Sequence, residues 1–155
     1  MRFRWVAICL LLFLSACGEQ QFPQVIPLPD QMTLYSLKGI EKSTDAAAEI
    51  ERFHNSLVVG KLEITDLQQR QKIVAELNQG IAESDGSLAA CFWPRHGLRI
   101  VTRGVTKEYL ICFECLQFQT HELGAEPRTT TITATPQATL NAILMEAKIP
   151  LDQPH

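Results

Sequence analysis

Apolar and polar residues alternate along Met32–Leu37 (MTLYSL), the two-residue period of a strand with one buried face. The period returns at Leu57–Ile64 (LVVGKLEI), where Leu62 and Ile64 mark one side. Between these runs, Ser43, Thr44 or Asp45 can cap a short helix through Ala46, Ala47, Ala48 and Ile50, ending near Phe53. After Ile64 the period becomes helical. Ile73, Val74, Leu77 and Ile81 fall on one stripe, while Gln68, Gln69, Lys72 and Glu76 occupy the rest. Thr65 with Gln68 fits a capping box, and Asp85-Gly86 stops the helix.

Ser87–Phe92 predicts a third strand, interrupted at Trp93-Pro94 because proline cannot donate to a ladder. Strand character resumes over Leu98–Thr102, turns at Arg103-Gly104 and returns as one long strand from Val105 to Gln119. The middle of that strand is apolar on both sides, with Tyr109, Ile111 and Phe113 on one and Leu110, Cys112 and Leu116 on the other. Such a strand is expected to be central and covered twice. His121–Pro127 reads as a loop and Thr129–Thr135 as a polar edge strand. Thr135-Pro136 then opens a helix whose stripe is Leu140, Ile143, Leu144 and Ala147, and Pro150 ends it. No internal repeat is present. Strands and helices in this order predict an α+β domain, a mainly antiparallel sheet of five or six strands packed by two main helices.

The start of the chain follows another pattern. Arg2 and Arg4 precede a nearly unbroken apolar run, Trp5 to Leu14, too short to span a bilayer as a helix. Leu14-Ser15-Ala16-Cys17 then places two small residues before a cysteine. This segment resembles the lipobox of bacterial lipoproteins. The resemblance implies a signal peptide over 1–16 and a Cys17 that carries diacylglycerol on sulfur and an acyl chain such as palmitate on nitrogen. Gly18, in place of the aspartate that favours inner-membrane retention, implies an outer-membrane protein facing the periplasm. Residues 17–31, with Pro23, Pro27 and Pro29, read as the lipidated N-terminus and a semi-rigid tether. A single domain follows over 32–150, and 151–155 is a tail.

Charge narrows the partners. The chain carries 14 basic and 17 acidic residues, net −3, and losing Arg2 and Arg4 takes this to about −5. No cluster of Lys or Arg stands out, so nucleic acid is not an expected partner. The expected partner is the membrane, through the lipid on Cys17; the sequence names no protein or small-molecule partner.

Chemistry concentrates in Cys91–Cys115 (CFWPRHGLRIVTRGVTKEYLICFEC). With Arg103 and Gly104 as the central turn residues, Thr102 faces Val105 and opposed numbers sum to 207. Carried back unbroken, this register sets Phe92 opposite Cys115 and Arg95 opposite Cys112. One extra residue at Trp93-Pro94 would instead set Cys91 opposite Cys115. Cys9 leaves with the signal peptide, and an odd set of three remains: Cys91, Cys112 and Cys115. One cross-strand disulfide, from Cys91 to Cys112 or Cys115, plus one buried thiol is the plainest expectation, with three unbonded core cysteines beside it. A Cys112–Cys115 bond is not expected while the strand stays extended, since three residues then span about 10 Å. Cys91, His96, Cys112 and Cys115 together match the donor set of a structural zinc site, although Phe113-Glu114 inside an apolar strand departs from a zinc knuckle. No cofactor is expected otherwise. Thiol chemistry at one cysteine, assisted by His96, Arg95 or His54, is a further alternative. For Glu114 in an apolar strand, a structural ion pair with Arg95 or Arg99 is expected. His54 and His155 read as surface histidines, and Phe53 and Trp93 as core aromatics.

Arg95-His96-Gly97-x-Arg99 resembles the RHGxR core of histidine phosphatases, which would make His96 the phosphoryl acceptor and the arginines its clamp. Ile100-Val101 and Pro94 depart from that family's pattern. From Gly80 onward, the CFxPRHG and ICFEC motifs resemble an uncharacterised family of small exported bacterial proteins. That resemblance spans most of the domain and implies no activity. The expected function is a membrane-anchored lipoprotein acting as a binding or accessory module without catalysis. The alternative is a thiol- or metal-dependent enzyme, or a phosphohydrolase of the RHG type, using Cys91, Arg95, His96, Cys112 and Cys115.

Overall fold

Seven strands and two helices succeed one another in a computed structural model that describes residues 25–38 and 51–152. They are β1 (Gln31–Lys38), β2 (Arg52–Phe53), β3 (Ser56–Glu63), α1 (Leu67–Ala82), β4 (His96–Thr102), β5 (Val105–Cys112), β6 (Gln117–Glu122), β7 (Arg128–Thr131) and α2 (Gln137–Glu146). All strand pairs are antiparallel, in the order β2-β3-β1-β4-β5-β6-β7. The α+β class and the antiparallel sheet therefore stand, with seven strands in place of five or six.

The count changes for physical reasons. The expected long strand breaks into β5 and β6 at a tight turn over 113–116, where Leu116 takes φ 51°. Two-residue β2 is too short to leave a period. Ser87–Phe92 is not a strand: both neighbours of β4 are occupied, by β1 and β5, and the segment runs out as an exposed loop. The helix expected over Ala46–Ile50 lies outside the described residues, and Phe53, its expected end, belongs to β2.

The helical periods read as expected. In α1, Ile73, Val74, Leu77 and Ile81 are buried. Its N-cap is Asp66, not Thr65: the Asp66 carboxylate accepts from the Gln69 N–H at 2.7 Å and satisfies one of the first-turn donors. In α2, Leu140, Ile143 and Leu144 are buried, whereas Ala147 is the exposed C-cap. Both helices cover one face of the sheet, where Met32, Leu34, Leu98, Ile100, Ile111 and Phe118 join them in the main core. Burial of Tyr109 in that core pushes its phenol up to about 12.

The packed unit begins before β1. Ile26, in the stretch read as tether, is buried, and Asn78 of α1 clamps it twice. The Ile26 N–H donates to Asn78 Oδ1 at 2.7 Å, and Asn78 Nδ2 donates to the Ile26 carbonyl at 2.9 Å. At the other end, Leu151 packs on the core. Among the described residues, no helix is long and apolar enough to cross a membrane.

The opposite face carries a smaller cluster of Tyr35, Leu37, Phe53 and Leu110, with Phe92 at its margin. The sheet curls so that the β2–β3 hairpin lies over this face. Phe53 stacks on Tyr35 at 4.4 Å between ring centres and sits on Gly97, where a β-carbon would come within 2.9 Å of its ring. Gly97 is thus required by close approach. Trp93, expected in the core, is about half exposed.

Candidate functional site

The β4–β5 hairpin keeps the register its turn dictates, from Thr102↔Val105 to His96↔Ile111. Arg103 (φ 51°) and Gly104 (φ 78°) both take left-handed backbone, as a type I′ turn requires. Pairing stops at His96, so the register does not carry Cys91 to Cys115. The loop does. Gln117 of β6 donates to the Ala89 carbonyl at 2.8 Å, and the Arg95 N–H donates to the Ile111 carbonyl at 3.2 Å. Held at both ends, the loop sets Cys91 Sγ 3.1 Å from Cys115 Sγ.

Cys115 in turn lies at disulfide-bonding distance from Cys112. This reverses the expectation for that pair. The turn over 113–116 brings their α-carbons to 5.3 Å, where an extended strand would hold them about 10 Å apart. The unbonded sulfur is Cys91, and it is exposed, not buried. Cys112 and Cys115 are almost fully covered, and the Cys115 N–H donates to Cys112 Sγ at 3.2 Å.

Arg95 and Glu114 meet at 2.8 Å, with Asp152 3.5 Å from Arg95 Nε. Glu114 is exposed in the turn, however, and not buried in a strand. His96 is 5 % exposed, facing α2, where its Nε2 lies 2.8 Å from Asn141 Oδ1 and Phe113 meets its ring edge-on. Burial pushes its pKa down to about 4; the Asn141 hydrogen bond opposes this, and the Arg95 charge adds to it. His96 is therefore a neutral core side chain at pH 7, donating from Nε2.

Strand alternation separates the phosphatase-like elements. His96 faces α2, whereas Arg99, three residues on, points to the other side of the sheet over Tyr35 and Phe53. The RHGxR residues do not converge on one pocket. Nor does His96 join the sulfurs. Among the described residues, no group of three or more His, Cys, Asp or Glu side chains is arranged to hold a metal ion, and the Cys91/His96/Cys112/Cys115 quartet is not assembled.

The face of the sheet opposite α1 and α2 joins Arg99 of the RHGxR segment to residues outside that motif. Arg99, Glu108 and His121 are successive cross-strand partners on β4, β5 and β6. Arg99 Nε donates to Glu108 Oε1 at 2.6 Å. The other carboxylate oxygen faces His54 Nε2 at 2.9 Å, and the His54 ring stacks on His121 at 3.9 Å between centres. His54 reaches this position from the β2–β3 turn with φ 54°, the left-handed backbone that a two-residue hairpin loop takes at its first central position. Burial pushes His121 below the usual imidazole range, the neighbouring His54 adds to this, and Glu108 opposes it. Its Nε2 is buried without a hydrogen-bond partner. Two open grooves, of about 370 and 240 Å³, meet at these two rings. The first runs along Glu108 and Leu123, the second along Phe92, Pro94 and Leu110. His54 is exposed, as expected of a surface histidine. The hairpin register, extended one strand further to β6, is the signal that would have aligned Glu108 with His121.

Cys17 and His155 lie outside the described residues. Compared with family models, curated proteins and solved structures, the chain finds no match in any of the three.

Proposed function

We propose that the chain is a lipid-anchored accessory protein of the bacterial envelope, held to the outer membrane through Cys17 and binding its ligand without converting it. The face of the sheet opposite α1 and α2 is the binding surface. The observation that carries this reading is the stacked His54–His121 pair at the meeting point of two grooves. A buried imidazole nitrogen without a partner is costly unless something completes its hydrogen bond. The apolar wall of Phe92, Pro94 and Leu110 beside polar His54 and Gln119 suits a ligand with one apolar side and one hydrogen-bonding group. The Leu14-Ser15-Ala16-Cys17 segment supports the address.

Two measurements test the two halves. Chain recovered from bacterial membranes should lack residues 1–16 and carry fatty-acyl mass on Cys17, and Cys17→Ser should remain uncleaved; an uncleaved, unacylated wild type overturns the anchor. A photo-crosslinking amino acid at Asn55, on the groove, should give a discrete adduct in living cells, while one at Gln71, on the exposed side of α1, gives none. Equal labelling from both positions, or none from Asn55, overturns the binding face.

A further inference from the structure

Three neighbouring sulfurs raise a question of access. Cys112 and Cys115, at bonding distance, are 1 % and 2 % exposed, so no external thiol reaches either directly. Cys91 is exposed, and its sulfur lies 3.1 Å from Cys115. From these positions we infer that the cluster is a thiol–disulfide exchange relay, in which Cys91 carries the oxidising equivalents of a buried Cys112–Cys115 disulfide to the surface and delivers them to an external dithiol.

The chemistry balances without another reagent. The Cys91 thiolate attacks Cys115 Sγ; the Cys91–Cys115 bond forms, the Cys112–Cys115 bond breaks, and Cys112 leaves as a thiolate that takes up a proton. No net oxidation occurs in this step. A thiolate of the external dithiol then attacks Cys91, expelling Cys115, and its second thiolate displaces Cys91. The dithiol ends as a disulfide, the chain ends with three thiols, and two electrons have passed from one to the other. Exchange proceeds faster when the departing sulfur is stabilised as a thiolate. Cys112 has that support in place, since its sulfur already accepts the Cys115 N–H at 3.2 Å. The direction of the relay follows: Cys115 is the shared central sulfur, Cys112 the buried leaving group and Cys91 the outlet.

The test uses the membrane-extracted protein in detergent with dithiothreitol as the dithiol, acid quenching and peptide mapping of the trapped sulfurs. In native buffer, Cys91→Ser should slow reduction of the Cys112–Cys115 bond by about 100-fold or more relative to wild type, while in denaturant the two should reduce alike. Cys91 is exposed in a loop outside the sheet, so this change leaves the core intact. In a second variant, Cys112→Ser, mild oxidation should give a Cys91–Cys115 disulfide in monomeric protein. Equal native reduction rates for wild type and Cys91→Ser, or failure of Cys112→Ser to form that bond, overturns the relay.

Discussion

On the helix side of the sheet, Leu34, Leu98, Ile111 and Phe118 merge with Ile73, Leu77, Leu140 and Leu144 into one apolar cluster. On the other side, Tyr35, Phe53 and Leu110 share their surface with Arg99, Glu108 and two imidazoles. The same strands build both, since alternate residues of β1, β4 and β5 point opposite ways. The first face maximises buried carbon, and the second gives up part of that burial to hold polar groups at fixed distances. The larger apolar cluster and the charged pairs thus lie on opposite sides of one sheet.

Matched truncations put the sharpest pressure on this division. Leu98→Ala, on the helix side, should cost about 2–5 kcal/mol in urea unfolding. Leu110→Ala, on the next strand but the other face, should cost roughly 1–3 kcal/mol, because the adjoining groove lets neighbours settle into the space. Equal losses would mean that the two faces are one core.

His96 supplies the next test, as the titratable group sunk in the helix side. Its folded pKa, about 4, lies below the ordinary 6.5, so the unfolded chain binds the proton more readily. The stability it contributes is complete above pH 6.5, declines as pH falls toward 4, and levels off below that. The full decline is roughly 3 kcal/mol. Urea midpoints from pH 7 to 4 should show it, and His96→Gln should flatten that segment. His121, on the open face, should leave a smaller imprint.

Gly97→Ala probes the open face by crowding it. A methyl group there meets the Phe53 ring at 2.9 Å, and overpacking should cost about 1–3 kcal/mol. Tilting Phe53 carries His54 with it, so the change should also disturb the His54–His121 stack, visible in the imidazole NMR signals of both. Smallest of all, Asp66→Ala should cost about 1 kcal/mol by removing the cap of α1, with both clusters unchanged. A larger loss would show that the cap positions α1 as well as starting it.

How much of this the sequence discloses depends on which force sets each element. The stripe of Ile73, Val74, Leu77 and Ile81 is legible because burial of one helix side fixes its period. The Thr102↔Val105 register is legible because a two-residue turn leaves no choice. The turn over 113–116 is not. It contains neither glycine nor proline, its apolar residues continue the strand pattern, and Leu116 accepts a left-handed backbone that leucine seldom adopts. That turn sets the Cys112–Cys115 pair, whereas the hairpin pattern leaves Cys91 to either Cys112 or Cys115. The His54–Glu108–His121 cluster was hidden for a different reason. Its members come from a hairpin tip and two other strands, and only the curl of the sheet brings the tip across.

The paired hydrogen bonds between Asn78 and the backbone of Ile26 have a mechanical side. Among the described residues, tension entering from the N-terminal side meets these two bonds first and is loaded into the flank of a sixteen-residue helix before it reaches β1. Asn78→Ala would move that point of attachment downstream to Asp30, whose N–H is held by the Val101 carbonyl and whose carboxylate accepts from Arg103. Among the described residues these are two moorings in series, and the outer one can part without opening the sheet.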